Sequence, residues 1–310
     1  MKKILLATTV LASTASFAAA DVAVTGSARM GIAQSRVGVV VAVPATAGPD
    51  GILGTADDTA AVAGNAGSVK SLFSSRVRIV FTGSGTTDGG LTFGASMRAD
   101  QNGGNTSGTA NGDSTVYISG AFGKLTMGDV AGGAGDELVG QISGVGYTGL
   151  GDTNEIGFGG NTATAARYDY TSGNLSFALG TSQTNAADGS DANSIAVKYA
   201  TTMYNMAISY STVKGSNLLS AKGGVTFGAA TVTAKYAKAK ATKADYGVSL
   251  DYAVSPALKV TAFFTDHKSL GTIAKGLGAS YDLGGGASVI GGVINNGTDT
   301  LGDVGVTMSF

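Results

Sequence analysis

The chain has 310 residues, among them 50 Gly, 3 Pro and no Cys, with a net charge of −1 and a mean hydropathy of +0.21. The missing cysteines exclude a disulfide framework, and the near-zero charge gives no reason to expect nucleic acid as a partner. Charged residues make up 13%, about half the share of an ordinary soluble domain, yet no apolar run after residue 20 reaches the roughly 20 residues of a membrane helix.

The chain opens with Met1-Lys2-Lys3, an apolar stretch from Ile4 to Leu11, and small residues ending Ala18-Ala19-Ala20. This is the layout of a secretory signal peptide, so residues 1–20 are expected to be removed and residues 21–310 to form one domain. Loss of Lys2 and Lys3 takes the net charge of the mature chain from −1 to about −3.

Period-two segments follow. Val22, Val24, Ala28, Met30 and Ile32 alternate with Thr25, Ser27 and Arg29. Val77, Ile79 and Phe81 alternate with Arg76, Arg78 and Thr82, and Leu91, Phe93 and Met97 with Thr92, Ser96 and Arg98. Leu258, Val260 and Phe264 alternate with Lys259 and Thr261, and Val304, Val306, Met308 and Phe310 close the chain. Each segment reads as a strand with one apolar and one polar face. Sixteen are expected, near 22–32, 73–83, 90–100, 113–121, 124–130, 164–172, 175–181, 194–201, 204–212, 218–227, 230–240, 245–253, 258–267, 274–282, 287–294 and 303–310.

Short turns such as Phe122-Gly123, Gly173-Asn174, Gly228-Ala229 and Gly284–Gly286 join alternate pairs. The other connections are mostly longer, above all 33–72, 101–112 and 131–163. Short turns on one rim and long loops on the other, with lipid-facing positions alternating with lumen-facing ones, is the pattern of an all-β transmembrane antiparallel β-barrel of 16 strands. A soluble sandwich would need more bulky residues for a core shared by two sheets.

Four stretches resemble the general bacterial porins, most of all the Rhodobacter-type porins of alphaproteobacteria: Asp21–Ile32 (DVAVTGSARMGI), Ser74–Asp100, Asp113–Asp129 and Gly276–Val293, together with the terminal Phe310. The resemblance implies a sixteen-stranded homotrimeric barrel of the outer membrane through which small hydrophilic solutes and ions diffuse passively. It implies a long third loop folded into the pore, making a constriction with a basic and an acidic side. It also implies a C-terminal aromatic, here Phe310, read by the barrel assembly machinery. The chain departs from the pattern in its long first loop, 33–72, and in a glycine-rich third loop with fewer acids.

Of six arginines, five can be tested for face. Arg29, Arg76, Arg78, Arg98 and Arg167 all stand opposite in parity to their apolar neighbours and so point into the lumen. The first four belong to three consecutive strands and form the expected basic side, with Arg167 added to it. Any strand arginine faces inward, since the lipid side costs about 2–4 kcal/mol at midplane, so the plain alternative is hydrated lumen charge. The expected acidic side is Asp136, Glu137, Asp152 and Glu155 of the third loop; the alternative is solvated loop acids.

Lys235, Lys238, Lys240 and Lys243 are expected at the outer rim, where they could meet lipopolysaccharide phosphates. Asp50, Asp57 and Asp58 in the first loop could offer oxygens to Ca²⁺, but the spacing is not that of an EF-hand, and no other metal or cofactor is expected. His267 is the sole histidine; with no nucleophile-elbow motif and no Cys, an enzyme is not expected. Phe122, Tyr204, Phe227, Tyr281 and Phe310 are expected in interfacial belts. Two other readings remain: a solute-specific channel, and a structural or adhesive surface barrel acting through its long first loop.

Overall fold

A computed structural model describes residues 21–54, 56–102, 114–130, 133–157, 165–182, 191–213 and 216–310, with nothing said of the side chains of 101 and 102. The leader expected at 1–20 lies outside these residues, as do the centres of several loops.

The described residues form sixteen strands and one short helix. The first five strands are β1 (Asp21–Val40), β2 (Asn65–Thr86), β3 (Thr92–Asn102), β4 (Thr115–Gly120) and β5 (Gly123–Gly128), followed by α1 (Gly133–Leu138). Then come β6 (Ala165–Ser172), β7 (Leu175–Ser182), β8 (Ala192–Ala200), β9 (Tyr204–Val213), β10 (Ser216–Phe227) and β11 (Ala230–Ala239). The last five are β12 (Asp245–Ala253), β13 (Leu258–His267), β14 (Thr272–Gly284), β15 (Ala287–Asn295) and β16 (Thr300–Ser309). Every strand is antiparallel to its chain neighbours, and β1 also pairs with β16, from Ser27 opposite Ser309 to Ala33 opposite Asp303. The sheet is therefore a closed barrel with no edge, as a sheet in lipid requires, because an unpaired backbone group there has no water to bond. The Phe310 and Gly26 backbones bond each other at the seam, N to O in both directions.

The alternation in the sequence is the alternation of faces. Val22, Val24, Met30, Val77, Phe81, Met97, Met127, Met206, Leu277 and Val304 are exposed on the outer wall. No core lies between two sheets. Ile142, Val145 and Leu150 of the third loop pack on Phe263, Ala274 and Ile294 of the inner wall, and this is the main apolar cluster. The belt aromatics Phe122, Tyr204, Phe227, Tyr281 and Phe310 are all exposed, at or near the short-turn rim.

One boundary differs clearly from the expectation. The segment 33–72 is not a loop throughout. The β1–β2 ladder runs on to Val40 opposite Asn65, although the β1–β16 pairing ends at Ala33 and the β2–β3 pairing starts at Arg76. Among the described residues, this part of the ladder, a two-stranded ribbon, pairs with no third strand. It is pinned at its base by Arg36, whose Nε donates to Asp299 Oδ2 at 2.7 Å. That guanidinium also holds the Asp299 carboxyl below the usual carboxylate range.

Candidate functional site

The basic wall is built by register. Arg29 of β1 lies directly across from Arg76 of β2, and Arg78 across from Asp100 of β3. Like charges opposed on one face repel, and a carboxylate beside them offsets part of that repulsion. Asp100 does so: Arg78 Nε and Nη2 reach its two oxygens at 3.0 Å each, and Arg98 Nε lies 3.0 Å from Oδ1. Four arginines and one aspartate leave this wall strongly positive. Sequence reasoning missed Asp100, although it shares the lumen parity of Arg98.

The third loop runs inside the barrel. Its helix α1 begins with Gly133, Ala134 and Gly135, all buried. These small residues let the helix lie on Ala178 of β7 and Ala196 of β8, with Ala134 N donating to Ser194 Oγ at 3.0 Å. Past the helix the chain is tied to wall after wall. Ser143 Oγ donates to Asp251 of β12 at 2.5 Å, and Thr265 Oγ1 of β13 donates to Thr153 O at 2.8 Å. At the far side Asp303 of β16 accepts Tyr147 N (3.2 Å), Thr148 N (2.8 Å) and Thr148 Oγ1 (2.6 Å). Arg29 Nη1 donates to Tyr147 O at 3.2 Å, so one arginine of the basic wall also touches the loop.

Glycine on the wall gives this loop its seat. A Cβ on Gly292 of β15 would stand 2.6 Å from Gly146 N and 3.0 Å from its Cα, and one on Gly247 would stand 2.9 Å from Ile142 Cδ1. Gly292→Val therefore pushes the loop off β15. The expected result is a pore whose current at fixed voltage is noisier than the parent's, with strand content by circular dichroism unchanged. A quiet trace of parental conductance would show that the loop tolerates the displacement.

The acids do not all meet the arginine wall in the expected way. Glu137 Oε2 lies 2.8 Å from Arg167 Nη2, and Arg167 Nε also bonds Asp169 at 3.0 Å. Arg167 therefore sits on β6, three strands from β3, held between two carboxylates; it is not brought to the other four arginines. Asp136 and Glu155 gather near Lys235. Burial raises the Asp136 carboxyl above its ordinary range, opposed by the Lys235 charge. Burial likewise raises Glu155, helped by the charges of Asp152 and Asp136. Asp152 itself takes a left-handed backbone (φ 54) in the turn that reverses the loop.

Lys235 corrects the rim reading. It is 4% exposed and lies beneath the third loop, its Nζ donating to Gln141 Oε1 at 2.7 Å, while Lys222 Nζ donates to Gln141 O at 3.3 Å. Lys198, Ala207, Lys222 and Lys235 form one cross-strand row over β8–β11. The parity of Lys235, opposite to Tyr236, already placed it inward; the loop lying over it was not legible.

Asp50, Asp57 and Asp58 do converge, with carboxylate oxygens within 4.8 Å of one another. They also tie their own loop, Gly48 N donating to Asp58 Oδ1 at 3.0 Å and Ile52 N to Asp50 Oδ1 at 2.9 Å. His267 lies at the end of β13 with Nε2 3.3 Å from Thr153 O, another attachment of the third loop.

A closed sixteen-strand barrel, apolar outside and charged within, with a loop laid across its lumen, defines a β-barrel membrane channel. The sequence profile of the Gram-negative porins matches residues 7–301. A porin of Rhodobacter capsulatus is 36% identical over 288 residues, covering 77% of this chain and 93% of that protein. Two engineered forms of Rh. blastica porin share the fold, each with a TM-score of 0.73 and 24% identity over 94% of this chain and all of theirs. The chain belongs to the Gram-negative porin family. It is a passive diffusion channel of the outer membrane.

Proposed function

We propose that passage is controlled by a charged constriction whose basic side is Arg29, Arg76, Arg78 and Arg98 and whose acidic side is Asp136, Glu137, Asp152 and Glu155. The observation that carries this reading is the third loop itself, tied across the lumen from β7 and β8 to β16 and touching Arg29. Charges of opposite sign along a narrow aqueous path set up a transverse field, and such charged rims tune ion flow. A small dipolar solute aligns in that field, whereas an apolar one must give up oriented water. Arg167, clamped by Glu137 and Asp169, serves to fix α1 more than to widen the basic side.

The channel works on this reading as a homotrimer of mature chains starting at Asp21, delivered by the barrel assembly machinery through recognition of Phe310. Mass spectrometry of the outer-membrane form is expected to give Asp21 as the first residue; a retained Met1 sinks the processing step. Planar-bilayer recording is the central test. Conductance that grows linearly with salt, with no saturable block by any one solute, supports general diffusion. Saturable block by one solute points instead to a specific channel, and a closed pore to a structural or adhesive barrel.

A further inference from the structure

We propose that the lumen wall over β8–β10 holds a docking site for a short dicarboxylate, with one carboxylate on Lys198 and the other on Lys222. The site is separate from the constriction, because β8–β10 stand across the barrel from the arginines of β1–β3. A solute docked there leaves the arginine side of the passage open, so its occupancy is read as binding and not as block of the current.

Lys198, Ala207 and Lys222 follow one another in a single cross-strand row. Met206 and Ile208, on either side of Ala207, are exposed on the lipid side, which turns the row inward. Ala207 is 7% exposed, a methyl shaded by the two long side chains beside it. The row therefore runs cation, small uncharged residue, cation, with the two lysine backbones about 10 Å apart, two strand spacings. Like charges in one row destabilise a sheet unless an opposite charge lies between them. The acids that come near are taken elsewhere: Glu137 is on Arg167 at 2.8 Å, and Asp136 and Glu155 gather at Lys235. Lys222 Nζ donates to a neutral carbonyl, Gln141 O at 3.3 Å, and an ammonium has further protons to give. Among the described residues neither Lys198 nor Lys222 has a carboxylate partner.

The site opens toward the short-turn rim. Ser194 and Ala196, the inward residues before Lys198 on β8, seat α1, and Lys198 is the next inward residue on the side away from that helix. Asn205 is the neighbour of Ala207 on the same face in that direction. Its amide has room because Gly224 lies across from it, where a Cβ would stand 2.8 Å from Asn205 Nδ2. That amide adds a neutral donor for a carboxylate oxygen beside the middle of the row. The spacing selects the ligand. A phosphate carries its charge on one centre and would have to draw both ammoniums to one point, yet Lys222 is already turned to the third loop. A four- or five-carbon diacid meets each ammonium where it stands, with an ion contact of about 2.8 Å at each end and its methylenes over Ala207. A monocarboxylate reaches one lysine and leaves the other uncompensated.

The test is saturation-transfer NMR on succinate with the whole mature porin in maltoside micelles at low ionic strength. Transfer to the succinate methylenes is expected to climb to a plateau with half-saturation in the millimolar range, of order 1 mM, and transfer to acetate to show no plateau there. Lys198→Gln raises the succinate half-saturation about tenfold, since one of two ion contacts is lost. Ala207→Asp sets a carboxylate between the two lysines and removes the plateau. Parental strand content by circular dichroism shows that each variant is folded. Arg76→Ser with Arg78→Ser keeps the parental half-saturation, so failure of this site and failure of the constriction are told apart. Glutarate displaces succinate, and inorganic phosphate at equal ionic strength does so far less. The proposal is overturned if the parent shows no plateau or binds acetate as well. It is also overturned if succinate binding survives both Lys198→Gln and Ala207→Asp, if it is lost with the arginines, or if phosphate displaces it as well as glutarate does.

Discussion

Replacing Arg76 and Arg78 together by Ser raises single-channel conductance and moves selectivity toward cations. Two long side chains leave the lumen, and the wall loses two of four positive charges while Asp100 remains, still held by Arg98. The barrel tolerates the change. Both positions face water, the outer Val77 is untouched, and removal of Arg76 relieves its repulsion with Arg29 directly across the ladder. The shift in reversal potential shrinks with salt, because the Debye length falls from about 10 Å at 0.1 M to about 3 Å at 1 M. Asp136→Asn with Glu137→Gln moves selectivity the other way. A folded double-Arg variant that conducts and selects as the parent does removes these arginines from the narrowest part of the pore.

The acidic side proposed for the constriction implies a pH dependence of definite sign. Burial holds the Asp136 and Glu155 carboxyls above the ordinary range. They therefore take up protons earlier than exposed carboxylates as pH falls, and the lumen becomes more positive while the arginines stay charged. Reversal potentials measured downward from pH 7 are expected to drift toward anion preference before reaching the usual carboxylate range near pH 4. A flat profile down to that range shows that these two acids do not border the ion path.

The strands were legible because lipid and water write opposite demands on alternate residues. Apart from the inner ends of the first loop, every boundary fell within about three residues of its expected place. The exception has the same cause. Beyond Ala33 and before Arg76 the ribbon pairs with no third strand among the described residues, and the alternation lapses there: Val39, Val40 and Val41 run together. The inward direction of the arginines was legible for the same reason. What each inward charge meets was not. Arg167 finding Glu137, Lys235 finding Gln141 and Asp303 finding Tyr147 and Thr148 join residues separated by 30 to 156 positions. Those pairings depend on where the third loop lands, and glycines such as Gly292, which look like ordinary strand glycines, decide that by leaving room.

Asp303→Ala releases the far end of the third loop. Asp303 is 7% exposed, and its carboxylate is the acceptor for two backbone N–H groups and one hydroxyl of the loop. Alanine leaves these donors without a partner, at about 1–3 kcal/mol for each that stays buried. The loop avoids that cost by moving into water. Of the polar contacts that this end makes among the described residues, the bond from Arg29 to Tyr147 O remains, and a lone contact to a mobile carbonyl holds poorly. The helical end stays seated on Ala178 and Ala196, so the loop swings from that side instead of leaving the lumen. The expected trace is larger in mean conductance and broken by brief partial closures, with protease cleavage appearing within 140–157 in the folded barrel. Strand pairing of β16 is untouched, so strand content by circular dichroism stays at the parental level. Asp303→Asn keeps one good acceptor and is expected to fall between the two. If Asp303→Ala instead conducts quietly at the parental level and resists protease, the loop is held by its apolar seat on Phe263 and Ile294 alone, and the carboxylate is not its anchor.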